Sequence, residues 1–302
     1  MIRELDIRSV NPGERNQKFL ITREIAATFR GSRIVYATSE QNQKVVIKIP
    51  AILGGAEKEW TGLKKARESG ISVPRPIMLG LTDTGSACII LESVNGEPLF
   101  LGNDHEDRII LGQIVKQMHS GVSIPDYGWK QNIKADYSYY DKQLKLWGDY
   151  QSQIGIDRSL TQYLFGLLAQ PMDSYCHSSP PVFNHNDIHD GQAFKSTKRG
   201  ITLIDFEDWT EDRPLNDLGM YLFHCLRTSR DFNFFKGFVS GYLNGDTLNE
   251  NDRLALIFNL LFISTRAVIK YLTYQTDYLG VARQNHQKVL DFIRNETLWK
   301  SL

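Results

Sequence analysis

Eight consecutive residues, His185–Gln192 ("HNDIHDGQ"), hold two histidines and two aspartates. Two chemistries could use them. A zinc hydrolase would take His185, His189 and Asp190 as ligands, since zinc binds imidazole nitrogen and carboxylate oxygen. A phosphotransferase would take Asp187 as the base that accepts or orients a hydroxyl proton, and the residue five positions on, Gln192, as an oxygen ligand for Mg²⁺. It would also need a second hard oxygen donor. "ITLIDFED" supplies Asp205 directly after an apolar run, where a polar side chain emerges from the end of a buried strand.

The zinc alternative is the weaker one. His185 and His189 would share a face only on a helix, and Pro180, Pro181 and Gly191 argue against a helix there. HExxH is absent, and His105, His119, His177, His224 and His286 show no ligand spacing, so they read as surface or packing residues.

Phosphates call for a cation. In "KVVIKI", Lys48 shares a strand face with Val46; in "AEKEWTGLKKARESG", Glu59 shares a helix face with Leu63 and Ala66. Both are expected to point inward. A buried carboxylate is costly unless paired, so Lys48 is its natural partner, and Glu57, on the opposite helix face, is the poorer candidate. The blander alternative is a surface lysine and a solvated helix charge.

The elements that must position these groups change in texture along the chain. "RIVYATS", "KVVIKIP" and "ACIILES" read as strands, and the helix containing Glu59 stops at Gly70 before "VPRP". After "ESVNGEPL" the period becomes helical, first in "DHEDRIILGQIVKQMHSG" with an apolar stripe of Ile110, Ile114, Val115 and Met118. Helices follow at "RSLTQYLFGLLAQPM", "NDRLALIFNLLFISTRAVIKYLTY" and "NHQKVLDFIRN", interrupted by a strand-and-loop island from "PPVFNHND" to "ITLIDFED". The expected hinge is Gly96–Pro98. The fold expected is α+β: a small antiparallel sheet lobe, residues 1–95, for nucleotide, and a larger, mainly helical lobe, residues 96–302, for catalysis and substrate.

"HNDIHDGQAF…ITLIDFEDW…PLNDLG" resembles the signature of the aminoglycoside phosphotransferase and choline kinase family, HGDxHxxN followed by IDFE and a DLA-like segment. "VVIK", "EKEWTGLKKARESGISVPRP" and "IILESVNGEPL" resemble that family's lysine strand, glutamate helix and hinge, so the likeness covers most of the chain. It implies a two-lobed, protein-kinase-like fold and transfer of the γ-phosphate of ATP or GTP to a small-molecule hydroxyl with Mg²⁺. It makes Asp187 the base, Gln192 and Asp205 the metal ligands, and Lys48, paired with Glu59, the phosphate-binding lysine. It assigns the adenine contacts to the backbone of Glu92 to Val94. Gly31, with Ser32 beside it as a phosphate donor, is the one glycine in the nucleotide-loop position, where a plain turn is an equal reading. His185 takes a structural role, its ring bonding backbone or Asp205, and Asp217 is either a helix N-cap or the brace of the loop. Two residues depart from the pattern: Asn186 stands for a glycine, and Gln192 for the metal-binding asparagine. The second departure opens a rival reading, a nucleotide-binding pseudokinase without turnover.

The acceptor is less legible. Glu207, Asp208, Glu211 and Asp212 concentrate charge just beyond Asp205, and Asp208, Glu211 and Asp212 are expected to favour a cationic acceptor. The alternative is that these acids cap helices and pair with Arg213. A quaternary amine would want an aromatic cage, from Trp209, Tyr221 or the "YSYY" run.

Composition bounds the rest. The chain has 302 residues, 41% hydrophobic and 23% charged, with Lys+Arg and Asp+Glu equal at 35 each, so no net field draws it to nucleic acid or membrane. Three scattered cysteines without a CxxC pair suit a reducing cytoplasm. The charged N-terminal stretch lacks a signal-peptide core, and "LALIFNLLFI" is too short to span a bilayer, so neither export nor a membrane span is expected. A monomer or homodimer is expected.

Overall fold

The computed structural model describes residues 3–11, 16–25, 31–51, 54–121, 142–145, 158–196, 200–273, 277–295, 297 and 300. The chain divides into two compact units: Met1–Gly102 with Asp190–Trp209, and Asn103–His189 with Thr210–Leu302. The "YSYY" run lies outside the described residues.

The first unit is built on six strands: β1 (Arg3–Ser9), β2 (Gln17–Ile25), β3 (Arg33–Ser39), β4 (Lys44–Ile49), β5 (Pro76–Thr82) and β6 (Ala87–Glu92). All pair antiparallel, and they close into a barrel in the order β1-β2-β3-β4-β6-β5. The antiparallel sheet expected here is thus closed on itself as a barrel. Sequence reading found β3, β4 and β6, whose β-branched runs are dense, but missed β1, β2 and β5; β1 and β5 are the pair that closes the ring. Closure removes the unpaired edges an open sheet would carry. Ile7, Phe19, Val35, Val45, Ile47, Ile49 and Ile90 are among the residues filling the core. Side chains alternate across a strand, so Lys48 lies on the face opposite Val45, Ile47 and Ile49. It points away from the barrel core.

Helix α1 (Gly55–Glu68) buries Ala56, Glu59, Gly62, Leu63 and Ala66, the face expected from the spacing; Glu57 is exposed. It ends where Gly70 adopts φ +76°, a left-handed conformation that glycine takes without strain. Strand β7 (Glu97–Pro98) pairs with β9 (Ala193–Ser196), and β9 with β10 (Gly200–Leu203). That pairing is why residues 190–209 belong with the first unit although they follow more than eighty residues of the second.

The second unit holds α2 (His105–Gly121), α3 (Arg158–Ser178), α4 (Leu215–Arg227), α5 (Phe232–Tyr242), α6 (Glu250–Thr273) and α7 (Leu279–Arg294), plus the two-stranded ladder of β8 (Val182–Asn184) with β11 (Thr210–Asp212). The buried stripe of α2 is Leu111, Val115 and Met118, with Ile110 exposed, a rotation from the stripe expected. The cause is a close helix crossing: a Cβ on Gly112 would collide with the Phe238 carbonyl, and one on Gly241 with the Ile109 carbonyl. Two glycines set the contact face, not the largest apolar residues. By length and composition alone α6 could cross a membrane, yet 72% of its apolar window is buried inside the fold, as in a core helix. Cys88, Cys176 and Cys225 are all buried, and none is joined in a disulfide.

Candidate active site

In the first unit, Lys48 Nζ lies 2.8 Å from Glu59 Oε1 and 2.6 Å from Asp205 Oδ1. Glu59 is completely buried and Lys48 nearly so. Burial disfavours the ammonium, but Glu59 and Asp205 outweigh it and raise the Lys48 pKa, so the charge is fixed at neutral pH. Burial raises the Glu59 carboxyl, with Lys48 pulling it down and Asp205 pushing it up. The expected pairing is present, and Asp205 joins it.

Local structure explains the meeting. Ala193 pairs with Leu203 across β9 and β10, and the Ile204 N–H donates to the Gln192 carbonyl at 2.9 Å, so the ladder carries Gln192 to the strand end from which Asp205 emerges. Asp205 itself sits at φ +67°, a left-handed conformation uncommon for a non-glycine residue. Gln192 Nε2 donates to Asp205 Oδ2 at 2.9 Å. Helix α1 is pinned from the same segment: the Trp209 indole N–H donates to the Lys58 carbonyl at 2.7 Å. A Cβ on Gly62 would lie 2.5 Å from Trp209 Cδ1 and 2.9 Å from Phe206 Cβ, so Gly62 is what lets the ring seat.

This group fits a hard divalent cation. Carboxylate oxygens of Glu59, Asp205 and Glu207 lie within 4.8 Å of one another, and a half-turn of the Gln192 amide exchanges its nitrogen for its oxygen beside Asp205. Oxygen donors of this kind suit Mg²⁺.

In the second unit, the loop after β8 hangs from Asp217. Asp217 Oδ2 accepts from the His185 N–H at 2.9 Å and Oδ1 from the Asn186 N–H at 2.7 Å. His119 Nε2 lies 3.0 Å from Asp217 Oδ2, and its Nδ1 lies 2.9 Å from the Tyr242 hydroxyl. Pro214 precedes α4 as its N-cap, so Asp217 is a brace from within the helix and not a cap. Asn186 has φ +66°, where glycine is at ease and asparagine tolerated, and its Oδ1 accepts from Asn216 Nδ2 at 2.5 Å. The departure from glycine thus carries a bond that glycine cannot make. His185 is fully buried, its Nδ1 accepting from the Asp187 N–H at 3.3 Å, in keeping with a structural role.

Asp187 Oδ1 lies 3.4 Å from His224 Nε2, and His224 stacks on His189 with ring centroids 4.3 Å apart. Burial works to raise the Asp187 pKa, but the His224 contact and the neighbouring His224, His189 and His185 rings outweigh it and hold the carboxyl well below the usual range. His189 is pushed down to about 4, first by burial and then by His224. Sequence reading missed His224 and His119, taking both for ordinary packing. For His224 the signal was register on a helix: Asp217 and His224 are seven residues apart, two turns along one face of α4.

The remaining expected residues divide. Gly31 has φ +82°, which requires glycine, but Ser32 is buried and its Oγ accepts from the Ala51 N–H at 3.3 Å, turned toward backbone. The Glu92 N–H donates to the Arg75 carbonyl at 2.9 Å, and Val94 follows β6 half-buried. The acidic run is broken up. Asp208 falls in a 3-10 turn of the first unit, while Glu211 and Asp212 lie on β11 of the second. Asp212 is buried and accepts from the Arg213 N–H at 2.7 Å, so it cannot offer the open anionic face expected of it. Of the cage candidates among the described residues, Tyr221 is buried against Phe238, and Trp209 is bonded to α1. Among the described residues, neither His185 nor Asp190 joins a group able to hold a metal, which removes the zinc set expected of a hydrolase.

Comparison with known proteins agrees with this geometry. No curated protein sequence matches the chain. Many solved structures share its fold. A choline/ethanolamine kinase family protein from Mesorhizobium loti superposes with TM-score 0.67 at 13% identity, over 91% of this chain and 90% of that one. The GDP complex of aminoglycoside 2′-phosphotransferase-IIIa gives 0.65 at 16%, over 89% and 92%. Spectinomycin phosphotransferase with ADP and spectinomycin gives 0.60 at 16%, over 94% of each. The profile of the phosphotransferase enzyme family matches residues 25–256. The chain therefore belongs to the phosphotransferase enzyme family, whose members are kinases that phosphorylate hydroxyl groups of small molecules.

Proposed function

We propose that this protein transfers the γ-phosphate of a nucleoside triphosphate, ATP or GTP, to a hydroxyl of a small amine-bearing molecule. The observation that carries the reading is the group of buried Lys48 and Glu59 with half-buried Asp205, and the Gln192 amide on the second Asp205 oxygen. A fixed ammonium beside a carboxylate and an amide suits the phosphates of a nucleotide and its metal. In this reading Lys48 binds phosphate oxygens, Glu59 holds Lys48 in place, and Asp205 and Gln192 hold Mg²⁺. Bound there, Mg²⁺ supplies positive charge against the phosphate oxygens. Asp187 accepts or orients the acceptor hydroxyl proton through a carboxylate kept ionised at neutral pH. Backbone around Gly31 and from Glu92 to Val94 borders the nucleotide.

Support for nucleotide comes from relatives of the same fold that are described with GDP or ADP, and support for an amine-bearing acceptor from those described as acting on spectinomycin or ethanolamine. Asp208 and Glu211 remain the candidates for acceptor contacts. One observation favours the pseudokinase reading: the residue that meets Asp205 is Gln192, and a side chain longer than asparagine displaces the ligand oxygen. The test of both is incubation with Mg²⁺, ATP or GTP and a panel of hydroxyl-bearing amines, scored by nucleoside diphosphate release. Release that depends on the acceptor supports the enzyme; nucleotide binding without release from any acceptor supports the pseudokinase.

A further inference from the structure

We infer that His224 is a positioning residue for Asp187, fixing one oxygen of that carboxylate so that the other meets the acceptor hydroxyl. The inference rests on the reading of Asp187 as the base.

Three features within the second unit converge. The first is register. One face of α4 carries Asp217, which takes the backbone N–H groups of His185 and Asn186, and two turns later His224, whose Nε2 meets Asp187 Oδ1 at 3.4 Å. A single helix thus holds the loop at its backbone and the carboxylate at its side chain, so the two grips cannot drift relative to each other. The second is confinement. The His224 ring is nearly buried, and His189, two residues beyond Asp187 on the same loop, stacks on it at 4.3 Å with planes 27° apart. The stack restricts rotation of the His224 ring about its own axis, which would otherwise carry Nε2 off the carboxylate.

The third is chemistry. A carboxylate beside an Nε2–H offers that donor one oxygen and keeps the lone pairs of the other for a proton. Stacking of two nearly parallel rings argues against a shared metal among Asp187, His189 and His224, because a metal lies in the plane of each ligating imidazole and these planes are separated. The cluster is therefore an orienting device. The groups that face His224 are Asp187 and His189, with His185 and Arg227 in the same electrostatic neighbourhood.

The test compares His224→Gln, whose amide N–H replaces the Nε2 donor, with His224→Leu, which removes it, and Asp187→Asn alongside. Expected is a kcat about ten- to hundredfold lower for His224→Leu, an acceptor KM and a nucleotide Kd within a few-fold of wild type, and recovery of most of the loss in His224→Gln. A loss equal in both variants with a matching fall in Tm would show a packing role and overturn the inference, as would wild-type kcat in His224→Leu. Should His224→Leu not fold, His224→Gln and His224→Asn, which keeps an amide but shortens its reach, decide by the same ordering: Gln above Asn supports the inference, and equal values overturn it. Near-normal turnover in Asp187→Asn overturns the base assignment instead, so the two failures are distinct.

Discussion

The two units hold their carboxylates in opposite ways. In the first, Glu59 and Asp205 share one ammonium, Lys48, and the group is ionic. In the second, Asp217 is held by two backbone N–H groups and His119, and Asp187 by His224, so the group is made of hydrogen-bond donors that need carry no charge. In the proposed reading the difference fits what each must do. A phosphate site needs a fixed positive charge, and an ammonium raised in pKa by two carboxylates provides one across the physiological range. A base must keep a lone pair available. A permanent cation against Asp187 would bind that lone pair, whereas an imidazole orients the carboxylate with a weaker grip.

The largest break in the comparison comes at Asp187. Asp187→Asn removes the proton acceptor but none of the nucleotide-binding groups, so kcat should fall by about 10²–10⁴-fold with nucleotide binding close to wild type; steady-state rates and a nucleotide titration check both halves. Next comes Lys48→Met, which leaves Glu59 buried without its counter-charge and should cost about 3–5 kcal/mol of stability. Because burial raises the Glu59 carboxyl, the variant should lose less at pH 5.5, where the buried group takes a proton at little cost, than at pH 8, where the unfolded chain is ionised and the folded one must hold a buried charge or take up a proton; denaturant unfolding at the two pH values measures it.

A third prediction uses His286, which packs between α6 and α7. Ser264 Oγ donates to the Leu261 carbonyl and lies 2.9 Å from His286 Nδ1, and burial pushes the ring from 6.5 down to about 4. The ring stays neutral in the fold. Above pH 6.5 neither state takes the proton; as pH falls below 6.5 the unfolded chain takes it and the folded one does not, until pH nears 4. This one group should therefore remove up to about 3 kcal/mol of stability across that window, a loss His286→Gln should abolish in pH-dependent unfolding.

Gln192 sharpens the ionic side. If its amide oxygen serves Mg²⁺, Gln192→Leu should raise the Mg²⁺ requirement by about tenfold, one factor of 1.4 kcal/mol, while Gln192→Asn keeps or raises activity. Equal Mg²⁺ dependence in all three proteins would show that Gln192 holds no metal. The smallest effect is expected at Trp209→Phe, which deletes the indole bond to Lys58 and should cost about 1 kcal/mol, read as a small drop in Tm.

What the sequence showed and what it hid follow from the range of each signal. Lys48, Glu59, Asp187 and Asp205 were legible because each lies on a short periodic element or in a dense local motif. β1, β2 and β5 were not: charged residues dilute the apolar alternation of β1 and β2, β5 begins at a proline and carries Gly80, and the β1–β5 pairing that closes the ring joins residues far apart in the chain. The stripe of α2 was misjudged for a related reason: Gly112 and Gly241 meet between helices, and nothing near Gly112 in sequence announces Gly241. His224 escaped because it lies well outside the motif whose aspartate it touches. The acidic run misled in the other direction. Its residues are neighbours in sequence, yet Asp208 and Asp212 fall in different units, and Asp212 is buried.

The most direct test follows the phosphate itself. With γ-labelled ATP or GTP, Mg²⁺ and a hydroxyl-bearing amine, wild-type protein should move the label onto the acceptor hydroxyl, and Asp187→Asn should bind the same nucleotide while moving almost none. Label that stays on bound nucleotide in the presence of every acceptor tried, or that reaches the acceptor equally well in Asp187→Asn, would contradict the account.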